Sequence, residues 1–207
     1  MVVLYVDDLG IAYNDKKDLD HLFSVLEKKG LDFTREGSFT AFLGIKFEKN
    51  ATDGTLTLTQ KGLIQKIVEA TGMSDSNYNW TPANQVALGI DPEGSPMQEA
   101  WSYRSIVGML LYLSTNTRPD IAYAVSQVAR FSHNPKKSHA SAVKTIVRYL
   151  NRTKNMGTIV KPTNDLSIDC YVDADFAGLH GRDPDHSPSS AKSRTGYIIT
   201  LSGCPIL

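Results

Sequence analysis

Val2-Val3-Leu4-Tyr5-Val6-Asp7-Asp8-Leu9-Gly10-Ile11-Ala12-Tyr13 decides how the rest of the chain is read. Two apolar runs, rich in β-branched and aromatic residues, flank an Asp-Asp step. This pattern predicts a β-hairpin. The expected turn sets two carboxylates side by side on a stiff support. Hard divalent cations take such oxygens, often one or two carboxylates plus substrate phosphates. Two such ions about 3.5–4 Å apart clamp the attacking and leaving oxygens of a phosphoryl transfer. Aspartate is also a favoured turn residue for a local reason, since its side chain bonds nearby backbone. Both readings of the Asp-Asp step stand at this point.

Length and composition set the frame. The 207 residues are 41% hydrophobic and 21% charged, which suits one or two ordinary globular domains. The longest apolar run, 106–113, is too short to cross a bilayer, and no membrane partner is expected. No basic N-terminal region leads into a signal-type apolar core, so an intracellular chain is expected. Cys170 and Cys204 then stay reduced, read as buried small hydrophobes. There is no G-x-S-x-G, no Walker loop and no Cys/His nucleophile pair, which argues against a conventional hydrolase. The net charge of zero argues against a general polyanion binder. The distribution says more. Residues 121–164 contain no Asp or Glu but hold Arg130, Lys136, Lys144, Arg148, Arg152 and other cations. Such a local surface suits a polyphosphate backbone.

Along the chain, 15–29 has Leu19, Leu22, Phe23 and Leu26 at helical spacing, with Gly30 at its end. Strands are expected at 31–34 and 39–49, then a turn at 50–54 and an alternating strand at 55–59. Within 39–49, Gly44 reads either as a close-approach glycine or as a bulge glycine. Residues 60–70 form a short amphipathic helix. Residues 73–100 hold three prolines and read as an extended linker. Three helices follow. The first, 103–114, is apolar all round and so expected to be buried. The second starts at Pro119. The third is expected to be capped by Ser138 and to run to about Arg152. Lys144, Arg148 and Arg152 are four apart on it and share one face. That face reads either as phosphate-facing or as simply solvated. Residues 157–160 and 166–172 read as strands, and the second runs into Asp173-Ala174-Asp175. The loop 179–192 carries His180 and His186 without a cysteine partner, so a zinc site is not expected.

These blocks resemble a known family. Tyr5-Val6-Asp7-Asp8 between apolar strands is similar to the active-site hairpin in the palm of reverse transcriptases. Phe42-Leu43-Gly44-Ile45, Tyr103-Arg104-Ser105-Ile106-Val107-Gly108 and Thr117-Arg118-Pro119-Asp120-Ile121 resemble, in order, blocks of the Pol polyprotein of copia-type retrotransposons. Asp173-Ala174-Asp175-Phe176-Ala177-Gly178 resembles the D-A-D-W-A-G that opens the ribonuclease H domain there, with Phe176 in place of Trp.

The resemblance implies an α+β fold. Residues 1–72 would be the C-terminal part of a polymerase palm with a primer-holding hairpin. Residues 73–100 would be a linker, 101–156 a helical thumb- or connection-like bundle, and 157–207 the first strands of a ribonuclease H-like fold. It implies RNA-directed DNA polymerisation and ribonuclease H cleavage in the parent protein, with Mg²⁺ (or Mn²⁺) as cofactor. Asp7, Asp8 and Asp173 would be the catalytic metal ligands, with Asp175 a weaker candidate. Tyr5, Gly44, Lys144, Arg148 and Arg152 would meet nucleic acid. RNA template, DNA primer and nucleoside triphosphates would be the parent's partners, with the rest of the polyprotein, inside a cytoplasmic particle. The resemblance covers nearly the whole chain but only half of each active site, so the chain alone is expected to be inactive. A catalytically dead nucleic-acid-binding remnant, or a pseudogene product, is the alternative.

Overall fold

A computed structural model describes residues 1–37, 39–161, 163, 165–178 and 192–206. The chain is mixed α and β, with antiparallel sheets and a helical core. β1 (Val2–Tyr5) and β2 (Asp8–Ile11) form the expected hairpin. α1 (Lys16–Lys28) follows, with the Asp15 carboxylate accepting from the Lys17 N–H at 2.9 Å. That bond satisfies a donor the helix start leaves open. The expected strand at 31–34 does not form. Instead Phe33 stacks on Phe23 of α1, and Arg35 lies over the Phe23 ring.

The segment 39–49 is two strands, not one. β3 (Ala41–Phe42) turns back on β4 (Ile45–Lys49) through Leu43-Gly44. Both turn residues have positive φ, 52° and 74°. That is the tight hairpin turn whose twist matches its strands, and glycine adopts it without a Cβ penalty. Gly44 is therefore a turn glycine, and an added Cβ would meet open space. The close approach occurs at Gly157, where a Cβ would run into the Leu58 carbonyl. β5 (Leu56–Thr59) and β6 (Thr158–Val160) complete a sheet in the order β3-β4-β5-β6. Phe39 packs on Phe42, Phe47 and Gly10, and so joins the first hairpin to this sheet.

The core is helical. α2 (Lys61–Ala70), α3 (Tyr103–Asn116), α4 (Ala122–Ala129) and α5 (Lys137–Arg152) bury Ile64, Ile67, Leu110, Leu113, Val125 and Ile146 together. The sequence points to a three-helix bundle; α2 is its fourth member. α3 is not buried all round, since Leu111 and Tyr112 face outward. Tyr112 uses that exposure: its hydroxyl donates to the Leu43 carbonyl at 2.6 Å and ties α3 to the Gly44 turn. Residues 73–100 lie along the bundle and pair with it by the bridge between Pro96 and Lys136. Ser138 does not cap α5. Its hydroxyl bonds Asp91, while the His139 ring accepts from the Lys136 N–H at 3.0 Å.

β7 (Ile168–Ala174), β8 (Thr195–Leu201) and β9 (Cys204–Pro205) make a third antiparallel sheet. It meets the end of β6 through Lys161, whose N–H reaches Cys204 Sγ at 3.3 Å. Cys204 is buried as expected, but Cys170 is exposed. His180 and His186 lie outside the described residues. No helix among the described residues is long and apolar enough to cross a membrane.

Candidate carboxylate sites and basic helix face

The first hairpin places its carboxylates one residue away from the expected geometry. Tyr5 pairs with Asp8, so the two-residue turn is Val6-Asp7 and Asp8 belongs to β2. Val6 supplies the positive φ, 50°, that such a turn demands. A β-branched residue is strained there. Tyr5, Asp7 and Asp8 are all exposed, and neither carboxylate has a hydrogen bond or ion pair among the described residues. Carboxylate oxygens are the donors that Mg²⁺ and Mn²⁺ take, so the pair fits the ion chemically. Among the described residues no group of three or more His, Cys, Asp or Glu could hold a metal. Water and phosphate oxygens would have to complete the coordination.

Asp173 stands on β7 opposite Gly196, exposed and without a partner among the described residues. It is on a different sheet from Asp7 and Asp8. Asp175 does not continue the strand. Its N–H donates to the Arg194 carbonyl at 3.0 Å, and its carboxylate accepts from the Arg194 N–H. Asp175 thus closes the end of the β7–β8 ladder.

The basic face of α5 is partly occupied by residues 73–100. Lys144 Nζ pairs with Glu99 at 2.7 Å. Arg152 lies beneath the Trp80 ring, its Cζ 3.3 Å from the ring centroid. Arg148, between them, has no partner among the described residues, and its Nε is shielded from solvent. The face is therefore neither a bare solvated stripe nor an uncovered row of cations.

One polar cluster escaped the sequence reading. Arg118 is 1% exposed. Its Nε and Nη2 bond both Asp120 oxygens, and Nη1 and Nη2 bond the Thr153 carbonyl and hydroxyl at 3.0 and 2.7 Å. Tyr149 donates to Asp120 at 2.7 Å. Burial pushes the Asp120 carboxyl up, but the bonds from Arg118 and Tyr149 and the Arg118 charge outweigh it and hold it below its ordinary value. Arg and Asp two apart carry no helical pairing signal. Only the return of α5 reveals the cluster. A cavity of about 800 Å³ lined by His133, Lys136, Lys192 and Arg194 was not legible in the sequence either, and none of Asp7, Asp8 and Asp173 lines it.

Fold and sites together define an α+β chain with hairpin-borne carboxylates and a helical core. Comparison with known proteins makes this specific. The chain is 37% identical over 213 residues to the retrovirus-related Pol polyprotein from transposon RE1 of Arabidopsis thaliana, covering 99% of this chain and 13% of that protein. It is 35% identical over 209 residues to the retrovirus-related Pol polyprotein from transposon TNT 1-94 of Nicotiana tabacum, covering 98% of this chain and 15% of that protein. The uncharacterized mitochondrial protein AtMg00810 of Arabidopsis thaliana is 30% identical over 206 residues, covering 100% of this chain and 80% of that protein. No protein-family model and no solved structure matches. The chain belongs to the family of retrovirus-related Pol polyproteins from copia-type transposons. It spans 13% to 15% of the length of the two Pol polyproteins above.

Proposed function

We propose that this chain is the segment of a retrotransposon Pol polyprotein running from the catalytic hairpin of an RNA-directed DNA polymerase into the start of a ribonuclease H unit. The observation that carries the reading is the Tyr5-Val6-Asp7-Asp8 hairpin, which exposes one carboxylate in its turn and one at the start of β2, neither with a partner among the described residues, in a chain of the Pol family. Asp7 and Asp8 hold Mg²⁺ or Mn²⁺, and Asp173 holds the ion of the nuclease half. The bound ion supplies charge stabilisation for the phosphoryl transfer and lowers the pKa of the attacking group. Tyr5, paired with Asp8, lines the approach of the primer terminus, and the β3–β4 turn with Gly44 holds the strand behind it. Lys144, Arg148 and Arg152 face the template–primer backbone. RNA template, DNA primer and nucleoside triphosphates are the substrates of the parent polymerase.

The isolated chain is inactive in this reading, because the described residues bring no third carboxylate to Asp7 and Asp8. Incubation with a primed RNA template, nucleotides and Mg²⁺ is expected to give no extension. Extension abolished by Asp8→Asn would overturn that. Metal binding tests the site itself: Mn²⁺ should broaden the amide resonances of residues 5–9, and Asp8→Asn should remove the effect. A hairpin indifferent to Mn²⁺ would sink the proposal. A second reading, an inert nucleic-acid-binding remnant, is favoured by the same short donor set together with the basic residues of α5. It expects salt-dependent duplex binding and no Mn²⁺ response.

A further inference from the structure

The end of α5 carries an arrangement that phosphate contacts alone do not explain. Trp80 is 78% exposed although one face of its ring is already stacked on the Arg152 guanidinium. An indole left this open in a packed segment gains little from burial. The cation beneath it draws charge from the ring and fixes its plane. Arg148 lies one turn earlier on the same face, without a partner among the described residues. Lys144, a further turn back, is neutralised by Glu99. The cations of this face without an ion pair among the described residues are therefore Arg152, against the open indole, and Arg148, one turn earlier. Tyr78, two residues before Trp80, is also exposed.

We infer that Trp80, Arg148 and Arg152 form a stacking platform for an unpaired base of a single-stranded nucleic acid. The base lies on the free face of the Trp80 ring, and its flanking phosphates meet Arg148 and Arg152. An aromatic surface bordered by cations is the usual means of holding single strands without sequence preference, because every base offers a π-face. A paired base inside a duplex has no free face to offer. The inference rests on the proposed role in nucleic-acid handling, but it assigns this face to unpaired nucleotides, such as a frayed or displaced end. An acidic peptide would engage the arginines yet leave the indole unused.

The chain has two tryptophans, so Trp101→Phe leaves Trp80 as the only reporter. Trp101 packs near Tyr103. If that variant melts early, 5-fluorotryptophan in the unaltered chain gives two separate signals instead. A short single-stranded oligonucleotide should quench Trp80 or shift its fluorine signal. It should do so at least fivefold more tightly than its blunt duplex, with tripolyphosphate silent. Trp80→Ala should weaken single-strand binding about tenfold. Arg152→Gln should weaken it too and lower the salt slope by about 0.7. Single-strand binding without any change at Trp80, or tripolyphosphate acting as strongly as the oligonucleotide, overturns the platform. Duplex binding that leaves Trp80 unchanged overturns the platform while preserving the phosphate-facing role of α5. Absence of all binding removes both.

Discussion

The guanidinium of Arg118 grips the carboxylate of Asp120 through two parallel bonds, Nε to Oδ1 at 2.9 Å and Nη2 to Oδ2 at 2.7 Å. The fork sits at the start of the short helical turn Pro119–Ile121, and the other guanidinium donors reach Thr153 at the end of α5. The Thr117-Arg118-Pro119-Asp120-Ile121 block thus fastens the close of the last bundle helix to the connection between α3 and α4.

Arg118→Gln is expected to lower stability by about 3 kcal/mol, because it strands a half-buried carboxylate and the Thr153 acceptors. Thermal or urea denaturation measures the loss. Arg118→Lys should not restore it, since an ammonium cannot reproduce the planar fork. A loss below about 1 kcal/mol for Arg118→Gln would refute this role.

Two groups make the fold acid-sensitive. The folded Asp120 value lies below the ordinary 3.8, so its contribution is complete above that value and is lost as the pH falls through the folded one. His139 is buried against Phe131, with its ring between the Lys136 N–H and the Gly89 carbonyl. Burial pushes this imidazole below its ordinary 6.5. The unfolded chain then binds the extra proton first, so stability falls as the pH drops below about 6.5. Denaturation midpoints against pH should decline in two steps. His139→Gln should flatten the upper step and Asp120→Asn the lower.

Tyr112→Phe removes the bond to the Leu43 carbonyl and is expected to cost about 1 kcal/mol. The loss should be local, seen as faster amide exchange in β3 and β4. Uniformly faster exchange across α2–α5 would count against a local latch.

Backbone geometry separates two further variants. Val6→Gly relieves a left-handed β-branched residue and should stabilise the first hairpin by about 1 kcal/mol, slowing exchange at Leu4 and Leu9. Gly157→Ala drives a methyl into the Leu58 carbonyl and should weaken the β5–β6 pairing. Unchanged exchange in β5 would refute the close approach.

Much of the fold was legible in local pattern. The periods of α1, α2 and α5, the Asp15 start and the Gly30 end are set by neighbours within one or two turns. The candidate carboxylates were legible as residue types, yet their register was not. A Tyr-Val-Asp-Asp string does not say whether the turn is Val6-Asp7 or Asp7-Asp8, because both loops are two residues long. Nor does the sequence say that β7 ends before Asp175, because the Arg194 backbone that captures its N–H and carboxylate is nineteen residues away.

By itself the sequence determined the helices and the first hairpin, where the carboxylates lie along the chain, and which family the motifs resemble. Those properties depend on periodicity and on the order of residues, both of which are local. The tertiary structure alone decided that α2 joins the bundle, that β6 pairs with β5, that Arg118 is buried, and that Trp80 and Glu99 cover part of α5. Each of these is a contact between residues far apart in the chain. Such contacts are fixed by the burial of the whole core, and no short window of sequence contains that information.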